Sequence, residues 1–237
     1  MVVFIVFIFK IAKGNSTALV RNCPNKLKRK VSKLLLNKVE QVGFVRHFKK
    51  PELEMMGGEL CINAALAFAS QLSKKGVLYT EGIKKPIQYR NWDNNTSIKV
   101  PLKYKRYGNI VLFDRIGFII LSKEYKKKVS KRLIANLSKK YKLPAFGAIV
   151  YYKNKITPYV YVKNVNSFVK ETACGSGSIA YSIISGCKRI IQPTGQAIYV
   201  NIRKNIEVKA KVKKIKTEII TYLNRPKLNI NEKRSLK

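Results

Sequence analysis

Two cysteines stand out by their setting. Cys61 opens the run Cys61-Ile-Asn-Ala-Ala-Leu-Ala-Phe-Ala69, and Cys174 opens Cys174-Gly-Ser-Gly-Ser-Ile-Ala-Tyr-Ser182. The two runs align without a gap, 113 positions apart in a chain of 237 residues. Leu66 matches Ile179, Ala67 matches Ala180 and Phe68 matches Tyr181 in type. Each cysteine follows strand-like sequence and heads an apolar run with helical spacing, so each belongs at a helix start. The first turn of a helix leaves backbone N–H groups unpaired and carries partial positive charge. A thiol placed there is expected to have its pKa drawn from about 8.5 toward neutrality. The same N–H groups can hold a carboxylate. If two such helices face each other, two thiols flank one carbon, and a proton can leave one face while another arrives on the opposite face. Racemisation or epimerisation at an α-carbon needs no more.

The elements around each cysteine repeat loosely as well. An order of strand, basic helix, strands and Cys-headed helix occurs twice, which predicts two similar α/β lobes, each wrapping strands round one Ala/Ile-rich helix. The β-branched and aromatic run from Met1 to Phe9 reads as a buried strand. Residues 25–38 carry Leu27, Val31, Leu34 and Leu35 at helical spacing between lysines and arginines, an amphipathic helix. Strands are expected at Val42–Phe48 and Leu53–Met56, and the Cys61 helix is expected to run to about Lys74 and stop at Gly76. Val111–Leu121 reads as one strand, and residues 123–142 as a second basic helix ended by Pro144. Strands at 147–152 and 158–163 lead to the Cys174 helix, stopped by Gly186, with further strands at 196–203 and 206–213.

Lys plus Arg is 49 against 12 Asp plus Glu, a formal charge of +37, and 46% of residues are apolar. That is the composition of a folded domain with a core, and it excludes collagen-like, disordered and disulfide-scaffold classes. The charge suits non-specific polyanion binding to nucleic acid or an anionic surface. It is also what A/T-rich coding produces, and both readings stay open. A non-catalytic nucleic-acid-binding protein is the rival reading, but no helix-turn-helix, RRM, KH or zinc-finger signature accompanies the charge. Cys23, Cys61, Cys174 and Cys187 form no C-x-x-C pair and His47 is the one histidine, so no metal site is expected. The opening apolar run is closed by Lys10, well short of the about 20 residues that span a bilayer, and lacks the layout of a signal peptide. A cytoplasmic protein with no membrane partner is expected.

Two longer stretches carry a resemblance. Glu54-Met-Met-Gly-Gly-Glu-Leu-Cys-Ile-Asn-Ala-Ala65 resembles the Cys-Gly-Asn loop of the diaminopimelate epimerase-like superfamily, and Thr172-Ala-Cys-Gly-Ser-Gly177 resembles its second loop, Cys-Gly-Thr/Ser-Gly. Within it the chain is most similar to the cofactor-independent histidine racemases of opine-metallophore biosynthesis. Gly14-Asn15-Ser16-Thr17, Glu40-Gln-Val-Gly-Phe44, Pro158-Tyr-Val-Tyr-Val162 and Gln192-Pro-Thr-Gly195 support that match.

The resemblance implies an α+β fold of two pseudo-symmetric lobes, each a curved mixed sheet or barrel round a central helix. Residues 1–105 plus 217–223 would form the lobe carrying Cys61, residues 106–216 the lobe carrying Cys174, and residues 224–237 a mobile basic tail. It implies an isomerase acting on a small amino acid such as histidine, compatible with a homodimer, with Cys61 and Cys174 as acid/base residues and no pyridoxal phosphate or metal. Backbone amides at Ile62, Asn63, Gly175 and Ser176 would hold the substrate carboxylate. Glu171 would bind the amino group, with Glu40 and Asn15 completing the pocket. The sequence departs from the family at Ile62, where a glycine is usual. It also lacks the Arg and Asn that bind the distal end of diaminopimelate, having Thr172 and Gly147-Ala148-Ile149 there. A plain amino acid racemase therefore fits better than a diaminopimelate epimerase.

Overall fold

The structure, a computed structural model, describes residues 2–46, 50–81, 83–222 and 228–231. The opening run forms β1 (Val2–Ile11), where Phe4, Val6 and Ile8 are buried and Val3 and Ile5 face out, the period-two pattern of a strand. β2 (Gly14–Arg21) returns antiparallel to it. α1 (Asn25–Leu35) buries Leu27, Val31 and Leu35 at helical spacing and turns its basic face outward. β3 (Gln41–Arg46) joins β2 in parallel and β4 (Glu52–Met55) pairs back with β3. Next come α2 (Ile62–Ala69), β5 (Lys75–Thr80), β6 (Ile87–Trp92) and β7 (Asn95–Val100).

The second half contains β8 (Lys105–Tyr107), β9 (Ile110–Leu112), β10 (Ile116–Ser122), α3 (Lys131–Lys140), β11 (Ala145–Tyr152), β12 (Lys155–Val162) and β13 (Ser167–Lys170). α4 (Gly175–Ser185), β14 (Arg189–Ile191), β15 (Ala197–Ile202), the long β16 (Ile206–Tyr222) and β17 (Leu228–Asn231) complete it.

β16 decides the architecture. Its residues Ile206–Lys211 pair with β7 and Val212–Tyr222 pair with β1. With the β1–β2–β3–β4–β5–β6–β7 pairings this closes a barrel of eight strands. α2 lies inside and touches all eight. All eight of its residues are buried, which explains a helix with no polar stripe. On its other edge, Ile206–Lys209 of β16 pairs with β15, which leads through β14, β12, β11 and β10 to β9 and β8. That second sheet curves round α4, which packs on β10, β11, β15, β16 and α2. The result is the mixed α+β class, two curved sheets each round a central helix. Among the described residues no helix is long and apolar enough to cross a membrane.

Several expected boundaries move. α2 ends at Ala69 rather than about Lys74, because Asn91 Nδ2 donates to the carbonyls of Ala69 (2.7 Å) and Ser73 (2.9 Å), and Gly76 lies inside β5. Residues 123–142 are not one helix. A 3-10 turn over Lys123–Lys128 is followed by extended Val129, and Ser130 then caps α3 by accepting from Leu133 N at 3.2 Å. The run 111–121 breaks into β9 and β10 around a turn. α4 ends as expected at Gly186, whose φ of 70° suits a residue without a Cβ. Of the expected 224–237 tail, only Leu228–Asn231 lies among the described residues, and it is a strand paired with Ile219–Tyr222.

Candidate active site

Cys61 and Cys174 are the N-caps of α2 and α4, each with extended backbone and each accepting a hydrogen bond at sulfur from the amide three residues on, Ala64 N and Gly177 N, both at 3.3 Å. The two helix starts are locked together. Asn63 Nδ2 donates to Ala173 O (3.0 Å) and Gly175 N donates to Asn63 Oδ1 (2.9 Å). Ile62 N donates to Ser176 Oγ at 3.3 Å. Gln192 supports α4 from behind, accepting from Cys174 N at 2.9 Å and donating to Ser178 Oγ at 3.0 Å.

Both thiols open on one narrow cavity. Glu40, Glu171, Asn63, Gly175 and Ser176 also line it, and an apolar wall comes from Met56, Leu60, Ile116, Val160, Val162 and Val169. The structure thus brings together seven of the nine residues expected from sequence. The exceptions are Ile62 and Asn15. Ile62 points instead at the start of α4: a Cβ on Gly175 would stand 2.6 Å from Ile62 Cγ2. Its bulk fills the space beside Gly175 rather than the cavity. Asn15 is fully buried with φ 33°, its own N–H donating to Thr172 Oγ1 at 2.6 Å and its Oδ1 accepting from Thr17 at 2.7 Å, while its Nδ2 has no partner. Glu40 accepts from Thr172 N (3.1 Å) and Thr172 Oγ1 (2.6 Å), tying the β3 start to the loop before Cys174.

Two further cavity residues were not identified from sequence. Gln41 accepts from Cys61 Sγ at 3.0 Å and donates to Glu171 Oε1 at 2.5 Å. Glu59, only 3% exposed, accepts from Gly57 N at 2.9 Å. Both stand beside recognised positions, Gln41 next to Glu40 and Glu59 two before Cys61, and that adjacency was the available signal. Cys23 and Cys187 lie away from this cavity. All four cysteines are free thiols.

The electrostatics correct one expectation. The helix N–H groups do favour thiolate, but burial outweighs them and pushes both thiols well above their ordinary value; the neighbouring Glu171 pushes the same way. Burial also raises Glu171 to about 8 and Glu59 to about 7. Among the described lining residues there are three carboxyl groups, Glu40, Glu59 and Glu171, and no lysine or arginine.

Solved structures of the same architecture include a predicted epimerase from Pseudomonas aeruginosa (TM-score 0.65, 8% identity, covering 90% of this chain and 98% of that one). A hydroxyproline epimerase from Agrobacterium vitis matches with TM-score 0.57 at 7% identity over 92% of each chain. The fold is that of the diaminopimelate epimerase-like racemases and epimerases. No protein-family model matches the chain. Two histidine racemases from strains of Fusobacterium nucleatum subsp. nucleatum are 31% and 30% identical, covering 79% of this chain and 85% and 86% of theirs. The chain belongs to the histidine racemase family, and it is an isomerase, an amino acid racemase.

Proposed function

We propose that this racemase inverts free histidine without a cofactor, using Cys61 and Cys174 as two single-faced acid/base groups at the α-carbon. The observation that carries the reading is the pair of thiol-capped helix starts opening on one cavity. The substrate ammonium would face Glu171 and Glu40, and its charge would offset the burial that keeps the thiols protonated. Of the four backbone amides expected to cradle the carboxylate, Ile62 N and Gly175 N are spent on cross-helix hydrogen bonds. The cradle therefore reduces to Asn63 N and Ser176 N. One thiolate takes the α-proton, and the opposite S–H returns one to the other face of the planar carbanion. Glu59 is left to accept from the imidazole. No lysine among the described lining residues offers a Schiff base, which supports cofactor independence. We divide the chain into two lobes near residue 105, with β16 as the strand they share; the boundary expected at 216/217 moves toward the start of β16, because Val212–Lys216 already pair with β1.

The test is racemisation of L-histidine in deuterated water with no cofactor added. D-histidine should carry deuterium from the first turnovers while recovered L-histidine stays protiated. Equal early label in both enantiomers would refute the two-thiol mechanism, and turnover of another amino acid alone would refute the substrate.

A further inference from the structure

Away from the cavity, strands β5, β6, β7, β16, β15 and β14 lie side by side with an outward face that the catalytic site does not use. Their register places Lys75, Arg90, Ser97, Lys209, Tyr199 and Arg189 in one continuous row across all six strands. At about 4.8 Å per strand the row is about 24 Å long. The next row runs Gln88, Lys99, Glu207 and Asn201. The inward partners, Ile98, Val100, Val208, Ala210, Ile198 and Val200, are buried, so the two rows are the solvent side of the sheet. Small Ser97 sits low between longer neighbours, and three adjoining depressions run along the face. Glu207 is the single acid among the described residues that line them. Lys209 Nζ lies between two aromatic rings, 4.9 Å from the centroid of Trp92 and 5.9 Å from that of Tyr199. Trp92 is the only tryptophan in the chain, and Tyr199 is 45% exposed.

We propose that this six-strand face binds single-stranded nucleic acid, its cations tracking the phosphates while Trp92 and Tyr199 stack on bases. A row of cations across a sheet suits a strand of evenly spaced negative charges, and aromatic platforms tolerate any base because every base has a π-face. Unpaired bases can reach such platforms, whereas a duplex keeps its bases stacked inside. Charge alone would not select this face, since basic residues cover α1 as well. The register and the paired rings set it apart. Binding here leaves the cysteine cavity untouched and does not depend on the catalytic reading.

Trp92 makes the test direct. Full-length protein is titrated with fluorescein-labelled oligothymidine, following anisotropy and the quenching of Trp92, with inorganic polyphosphate and a blunt duplex as comparison ligands. Oligothymidine should quench Trp92 and polyphosphate should not. The Arg90→Glu, Lys99→Glu, Lys209→Glu triple variant should bind at least tenfold more weakly. Its log K against log salt slope should be shallower by about 0.7 per cation lost. Arg90→Gln with Lys209→Gln repeats the measurement should the charge reversal misfold, as judged by circular dichroism and racemase activity. Tyr199→Ala should weaken oligothymidine about fivefold or more and leave polyphosphate unchanged. An equal loss in the α1 control Lys26→Glu, Arg29→Glu, Lys33→Glu would overturn the proposal. So would tight binding without quenching, or a preference for duplex or polyphosphate.

Discussion

At the scale of single residues, the proposed chemistry rests on Cys61 and Cys174, two thiols that burial pushes well above their ordinary pKa. Cys61→Ala and Cys174→Ala should each lose at least about 10²–10⁴-fold in racemisation, the worth of one positioned proton-transfer group. Each variant should still exchange the α-hydrogen of one enantiomer in deuterated water, and a different enantiomer in each case. Cys23→Ala and Cys187→Ala should stay within a few-fold of the parent, since neither thiol reaches the cavity. The buried carboxyls give a pH signature. Glu171 and Glu59 are raised from 4.5 to about 8 and about 7, so between those limits the folded state holds protons that the unfolded chain has released. Stability should therefore fall as pH rises from about 5 to 8 and level off above that. Thermal melts of Glu59→Gln and Glu171→Gln across that range should show a flatter profile.

At the scale of elements, α2 and α4 act as one unit because their starts are stitched by Asn63 and Ser176. Ile62 and Gly175 are the close contact in that stitch. Gly175→Ala puts a methyl 2.6 Å from Ile62 Cγ2 and 2.9 Å from its Cβ, overpacking worth about 1–3 kcal/mol. Ile62→Ala should recover most of that loss in a double-mutant cycle by chemical denaturation. Additive losses would place the strain elsewhere. At the other end of α2, Asn91 holds the carbonyls of Ala69 and Ser73, and Asn91→Ala should cost about 1–3 kcal/mol of stability with KM unchanged.

At the scale of the whole molecule, β16 joins the barrel round α2 to the sheet round α4. Val208 is fully buried and paired on both sides, with Ile98 of β7 and Val200 of β15. A strand common to both sheets couples their unfolding. Trp92 fluorescence, which reports the barrel, and far-UV circular dichroism, which reports the whole, should trace one coincident transition. Val208→Pro removes a ladder N–H in the middle of both sheets and should lower the midpoint for both probes together. Separate transitions would show that the two sheets unfold independently.

The sequence by itself determined what local patterns can carry. Apolar alternation placed β1, helical spacing placed α1, and an N-cap cysteine before small residues marked both α2 and α4, while Gly186 marked the end of α4. Of the seven expected site residues that meet in the cavity, six sit on those two helix starts or the loops leading into them, and Glu40 comes from the start of β3. Tertiary structure decided the rest. Ser130 splits one basic run into a 3-10 turn and a helix, and Asn91, from a strand distant in sequence, ends α2 early. β16 closes the barrel through partners about 110 and 210 residues away in the chain, pairings that no local window contains. Gln41 and Glu59 become site residues only when β3 and the loop before α2 converge on α4. The sign of the thiol shift shows why. Sequence reveals the helix N–H groups that favour a thiolate, but the opposing burial comes from Met56, Leu60, Val160 and Val162, which only the folded chain packs around the sulfurs.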